Sequence, residues 1–124
     1  MKTQRSLILF AHGARDAGWA VPFERLRQIT QAQRPDILVS LAFLDLMTPT
    51  LPDLVRKLVQ DGCVDVTVVP VFFGQGGHVL RDLPVMVEQL KKYHPGLALH
   101  VADAVGEDAQ VLNAIAQYCI SALP

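Results

Sequence analysis

A chain of 124 residues, 51% of them hydrophobic and 19% charged, has the length of one domain over residues 1–124 and enough apolar side chains to close a core, so an intrinsically disordered class is excluded. Eleven basic residues against twelve acidic ones leave a formal charge of −1. That balance supplies no overall field for nucleic acid or an anionic membrane, and any anion site has to be local.

In chain order, "SLILFA" (6–11) reads as a first strand. It ends in His-Gly with no small-residue cleavage site after it, so the segment is not a secretory signal and a cytoplasmic protein is expected. No apolar run approaches the ~20 residues of a membrane span. A first helix opens at Pro22, carries Phe23, Leu26 and Ile29 on one stripe, and stops before Pro35. The second strand is "ILVSLAFL" (37–44). Thr50 caps the second helix, Pro52 suits its first turn, Leu51, Leu54, Val55, Leu58 and Val59 form its apolar stripe, and Gly62 ends it.

The third strand is "VTVVPVFF" (66–73), and the third helix is expected from about Leu83 to Tyr93, with Asp82 as N-cap, Pro84 in the first turn and "HPG" (94–96) as terminator. The fourth strand is "LALHVA" (97–102). A last helix starts near Glu107 and Asp108, whose charge favours a helix N-terminus, and is expected to bury Leu112, Ile115, Ala116 and Cys119. Cys63 and Cys119 lack C-x-x-C spacing and read as reduced, mostly buried thiols.

Near-continuous hydrophobic strands alternating with helices imply a parallel sheet covered on both faces. Right-handed crossovers favour a three-layer α/β architecture with strand order 2-1-3-4, the first strand lying beside both the second and the third. Ligands of such sheets bind outside the carboxyl ends of the strands.

At those ends stand "AHGARD" (11–16), "FLDLMTPT" (43–50) and "FGQGGHVLRD" (73–82). If the first and third strands are neighbours, His12 and His78 share one rim, and Asp45 can bring a carboxylate to it. Imidazoles in a cleft take up protons near neutral pH or bind a borderline divalent metal such as cobalt, nickel or ferrous iron. Two histidines with one carboxylate leave the coordination sphere open, which suits a metal that must leave again. Gly74, Gly76 and Gly77 allow close backbone approach to a bulky ligand. Arg15 and Arg81 can hold ligand carboxylates, or can balance the aspartates next to them, Asp16 and Asp82. Trp19, Phe72 and Phe73 can line a flat ligand, with core packing the expectation for the two phenylalanines. His94 and His100 read as solvent-facing structural residues.

Two enzyme classes with a His-Gly after a strand do not fit. A histidine phosphatase needs an arginine where Ala11 stands, and an α/β-hydrolase needs a G-x-S-x-G elbow that is absent. A Walker loop and a G-x-G-x-x-G are also absent, so no nucleotide is called for.

The strand ends "AHGARD", "FLDLMTPTLPD" and "VVPVFFGQGGHVLRDLP" resemble, in order and spacing, the sirohydrochlorin cobaltochelatase (CbiX) family of class II tetrapyrrole chelatases, over nearly all of the chain. Members often carry glutamate where this chain has Asp45 and serine in place of Ala14. The resemblance implies a chelatase-like domain that inserts a divalent metal (cobalt, or iron or nickel) into sirohydrochlorin, a lyase-type reaction of cobalamin or sirohaem synthesis with the metal as substrate and no tightly bound cofactor. It implies His12 and His78 as metal-binding and proton-accepting residues, with Asp45 as a further ligand. It also implies Arg15, Gly76, Gly77 and Arg81 near the substrate, and the short family form that pairs as a homodimer around the macrocycle. Exposed apolar residues at Leu44, Leu46 and Met47 agree with such pairing. A non-catalytic tetrapyrrole or metal carrier on the same fold is the alternative.

Overall fold

The computed structural model describes residues 5–74 and 77–124, with the backbone alone for residues 77–80. Four parallel strands, β1 (Arg5–Ala11), β2 (Leu38–Phe43), β3 (Asp65–Pro70) and β4 (Ala98–Val101), form one sheet in the expected order 2-1-3-4. β1 is central, and its register sets the rest: Phe10 lies opposite Ala42 on one side and Pro70 on the other. A central parallel strand turns apolar residues to both faces of the sheet, which is why "SLILFA" shows no polar alternation.

One face of the sheet carries Ile8, Phe10, Ala42, Val66, Val68 and Leu99. Helix α2 (Leu51–Gln60) packs on it through Leu51, Leu54, Val55 and Leu58, and helix α3 (Gly77–Tyr93) through Leu83, Val87 and Leu90. Phe10, Ile8 and Leu51 are fully buried, and burial of a side chain of that size contributes about 1.5–3 kcal/mol each. The local signals for α2 act as read. The Thr50 hydroxyl accepts from the Asp53 N–H at 3.4 Å, and Gly62 ends the segment at φ 94°.

The opposite face holds a smaller cluster of Leu9, Ile37 and Val39, joined by Leu7, Leu41 and Val71. Helix α1 (Val21–Gln33) belongs to this side, yet no α1 residue is fully buried, and Leu26 and Ile29 of the expected stripe are exposed. The reason lies in the sheet edge. β2 is an edge strand, and α1 serves its outward backbone: Gln31 accepts from the Val39 N–H at 3.0 Å and donates to the Ile37 carbonyl at 2.8 Å, while Arg27 donates to the Val39 carbonyl at 3.4 Å. An edge capped in this way cannot template another strand. The helix therefore sits over β2 and leaves the rest of that face thinly covered.

Three further expectations are corrected. Helix α3 begins at Gly77, so Asp82 and Pro84 lie inside it and Asp82 is not its N-cap. Pro84 is thus an interior proline, which removes one i→i−4 hydrogen bond and crowds the carbonyl one turn before it. Strand β3 ends at Pro70, although the Val71 N–H still donates to the Phe10 carbonyl at 2.7 Å. Helix α4 (Ala109–Ser121) is capped by Asp108, which accepts from the Val111 N–H at 3.1 Å, but it buries none of its residues. Leu112, Ile115 and Cys119 are exposed because α4 packs mainly against the 3-10 turn Val105–Glu107 that precedes it. Cys63 is buried as expected, and neither cysteine is in a disulfide.

Leu51 is fully buried in the larger core. Replacing it by alanine is expected to lower unfolding stability by about 2–5 kcal/mol, read as a fall in the urea midpoint at unchanged slope. A loss under about 1 kcal/mol would show that α2 is not the clamp on this face.

Candidate active site at the sheet rim

The pairing of β1 with both neighbours continues past the ends of the regular strands. On the β2 side, the Leu44 N–H donates to the Ala11 carbonyl at 2.9 Å and the Asp45 N–H to the His12 carbonyl at 3.1 Å. On the β3 side, the bond from Val71 to Phe10 carries the chain on to Phe72, whose ring meets the His12 imidazole with centroids 4.6 Å apart and planes at 44°. His12 is thus exposed at the carboxyl rim of the sheet, held between the backbone of Asp45 and the ring of Phe72. Phe72 itself packs down onto the larger core and edge-on to Phe10 at 6.4 Å. The orientation of the imidazole is thereby tied to the most buried strand.

The glycine after His12 has a steric cause. Gly13 turns the chain at φ 90°, and a Cβ there would run into the carbonyl oxygen of Asp45. Only glycine lets the two segments cross so closely. Gly106 acts in the same way on the other flank: its N–H donates to the Phe72 carbonyl at 3.1 Å, and a Cβ would strike the backbone of Phe73.

Asp45 is exposed at the rim, where its side chain accepts from the Leu46 N–H at 2.8 Å, across a residue held in the left-handed region at φ 68°. One carboxylate oxygen thus steadies the loop beside His12. Arg15 is exposed, and Asp16 accepts instead from the Gly18 N–H at 2.9 Å as the cap of the 3-10 turn Ala17–Ala20. Among the described residues Arg15 makes no ion pair, and the capping carboxylate of Asp16 lies next to it in the chain. Arg81 is exposed on α3 and likewise makes no ion pair among the described residues. Gly77 is the first residue of α3. Gly76 and the side chain of His78 lie outside the described residues, and so does the shared ligand sphere expected of His12, His78 and Asp45.

Phe73 departs from its expected core role: its side chain is 63% exposed, one residue beyond the Phe72 ring that meets His12. Leu46, 57% exposed, follows Asp45 on the other flank. Apolar side chains therefore stand open to solvent on both sides of the histidine. Trp19 stacks on Phe23 at 4.5 Å and faces Phe43 at 6.5 Å, which ties the loop after His12 to the end of β2. No local signal marked Gly106 as a support of the rim, because its contact is with a segment more than thirty residues away.

The distant histidines fall away from this site. His100 faces Asp65 across β3 and β4 at 3.6 Å, and His94 follows the end of α3. A cavity of about 360 Å³ lined by Arg5, Asp36, Ile37, Val64 and Asp65 opens at the amino ends of the strands, the opposite end from His12. One of its charges is already matched. Arg34 donates twice to Asp36 at 2.8 Å, and this hydrogen bonding holds the Asp36 carboxyl down to about 2. The rim remains the place where this architecture presents ligand-binding groups.

The model of the CbiX family matches residues 6–122. This chain belongs to the CbiX family. The sirohydrochlorin cobaltochelatase of Sulfolobus acidocaldarius is 26% identical over 117 residues, which span 94% of this chain and 91% of that protein. The sirohydrochlorin cobaltochelatase of Methanocaldococcus jannaschii is 27% identical over 89 residues, 72% of this chain and 62% of the relative. Among solved structures, a cobalamin (vitamin B12) biosynthesis CbiX protein from Marinobacter aquaeolei VT8 superimposes with a TM-score of 0.83 at 31% identity, covering 94% of this chain and 95% of that one. The sirohydrochlorin chelatase SirB from Bacillus subtilis subspecies spizizenii, solved with cobalt, shares the fold at a TM-score of 0.80 and 18% identity. This chain spans 51% of SirB's length.

Two glycines of the rim separate support from mere flexibility. Gly13→Ala is expected to lower stability by at least about 1–2 kcal/mol, the cost of the left-handed backbone alone, and to shift the amide resonances of His12 and Asp45. Gly74→Ala, where an added Cβ meets nothing within 4 Å, is expected to change stability by under about 0.5 kcal/mol. Equal effects of the two substitutions would contradict the rim geometry.

Proposed function

We propose that this chain is a metal chelatase that inserts a divalent cation, cobalt foremost, into sirohydrochlorin at the His12 rim. The observation that carries this reading is the CbiX match over residues 6–122 combined with an exposed imidazole fixed at the carboxyl rim. Insertion replaces two pyrrole protons by one divalent cation, so a site must accept two protons and present the metal to one face of the ring. An imidazole performs both tasks near neutral pH, since its neutral nitrogen either binds a divalent metal or takes up a proton. His12 and His78 are the residues assigned to these steps, with Asp45 as the additional metal ligand.

The macrocycle is a broad face edged with carboxylates. Phe73 and Leu46 offer it apolar contact on the two flanks of His12, burying surface that is otherwise exposed. Arg15 and Arg81 supply the charged donors for the carboxylates, Gly76 is assigned to the substrate beside them, and Gly77 offers a backbone N–H at the start of α3 to the ring. The cation is substrate here, and the reaction calls for no tightly bound cofactor. Two copies of the chain pairing around one macrocycle, in the cytoplasm, complete the proposal. No helix among the described residues is long and apolar enough to cross a membrane.

The test is the insertion reaction itself, followed by absorbance with sirohydrochlorin and cobalt, ferrous iron or nickel. His12→Ala and His78→Ala are each expected to lower kcat by about 10²-fold or more, while Arg15→Ala and Arg81→Ala raise KM several-fold with kcat largely kept. Insertion no faster than the protein-free rate, or histidine variants as active as the parent, would remove the catalytic reading and leave a carrier.

A further inference from the structure

On the α1 side of the sheet, the surface over β1, β3 and β4 lacks a helix. Leu7, Thr67, Val69 and Val71 point to this side and are only half-buried, Ala98 and His100 are exposed, and Leu26 and Ile29 of α1 stand open along its border. Towards the end of the chain, α4 carries Leu112, Ile115, Ala116 and Cys119 at helical spacing on one stripe, and all four are exposed. The chain thus contains an apolar sheet face without a helix and an apolar helix without a sheet face.

We propose that α4 is exchanged between two copies of this chain, the stripe of each α4 lying on the open β1–β3–β4 face of its partner. The crossover into β2 runs on the opposite face from those into β3 and β4, so α1 is alone on its side and the face over β1, β3 and β4 is open to a further helix. α4 is the one helix that remains, and its own chain does not deliver it there. Its root is fixed: Ala104 is fully buried, Gly106 is bonded to Phe72 and pressed against the Phe73 backbone, and Asp108 caps the helix at once. Within the chain, α4 leans mainly on that turn, and none of its residues is buried.

Dimensions agree with the partner's sheet as occupant. Thirteen residues make a helix about 20 Å long, enough to cross strands spaced at about 4.8 Å. Two such arms, each about 10 Å wide and buried from both sides, give roughly 800 Å², and contact between the two bodies has to supply the rest of the ~1,200 Å² at which specific stable interfaces begin. Exchange of an identical element between protomers closes with two-fold symmetry and leaves no open end. SirB, of which this chain spans about half, has the length for two such units in one chain. Since α4 is rooted at the rim beside Phe72 and Phe73, the exchange also sets each sheet face within one helix length of the other copy's site. This deepens the homodimer reading above and does not depend on the metal chemistry, so its test and the insertion assay fail separately.

The native thiol of Cys119 makes the exchange directly visible. In the full chain, Thr67→Cys, Val69→Cys and His100→Cys place a second thiol at three points across the open face, and mild oxidation is followed on non-reducing gels against the parent, which has only Cys63 and Cys119. A covalent dimer from at least one variant, lost when Cys119→Ser is added, is the expected result. A disulfide within one chain, or no new product from any of the three, would overturn the proposal. Independently, Ile115→Asp is expected to shift the sedimenting species from dimer to monomer, a loss of at least tenfold in dimer affinity, with the helical far-ultraviolet signal kept. An unchanged dimer in that variant would overturn it as well.

Discussion

The hydrogen bond from the Val71 N–H to the Phe10 carbonyl, at 2.7 Å, is the link on which the rim depends. It extends the β1–β3 register one step beyond the last regular pair and so delivers Phe72 to the His12 ring. Parallel strands in register present their carboxyl ends together, which turns a fold-level rule into a local contact. The imidazole is then held by groups that continue into the core, since Phe72 packs on Phe10 and Phe10 is fully buried. A catalytic or metal-binding group mounted on a rigid element keeps its position without help from substrate.

Glycine performs two different tasks around this rim. At Gly13 and Gly106 it removes a Cβ from a crossing of two backbones, so the residue is fixed by sterics and the segments are tightly packed. At Gly74 an added Cβ would meet nothing. Gly74 of the run after β3 stands in open space, whereas Gly13 and Gly106 stand at close crossings of two backbones. Support of the histidine thus comes from Gly13 in its own turn and from Gly106 of a remote segment, and the exposed Phe73 and Leu46 beside it are free for a flat substrate.

Much of this was legible in the residues. Four nearly unbroken apolar runs separated by helical stripes gave the sheet and its order, and the Thr50, Pro52 and Gly62 signals bounded α2 because each acts through local backbone chemistry. The rim positions of His12 and Asp45 followed from strand adjacency alone. What failed was burial of helices. The stripes of α1 and α4 are real, but periodicity states only that a helix has an apolar face, and not which chain covers it. α1 is drawn to the open edge of β2 by Gln31 and Arg27, polar residues that a hydrophobic pattern passes over. Phe73 was expected in the core as the last residue of the apolar run 66–73, and it is exposed where the regular strand has already ended at Pro70.

The central claim is that the carboxyl rim around His12 is where the metal is held. Adding cobalt(II) to isotope-labelled protein and recording which resonances broaden first tests it most directly, since paramagnetic broadening falls off steeply with distance. The account predicts that the imidazole of His12 and the amides of Asp45 and Phe72 broaden at the lowest cobalt concentrations, while His94 stays sharp and the His100–Asp65 pair is unaffected. Broadening centred on His100 and Asp65, or spread evenly over the surface carboxylates with His12 sharp, would contradict it.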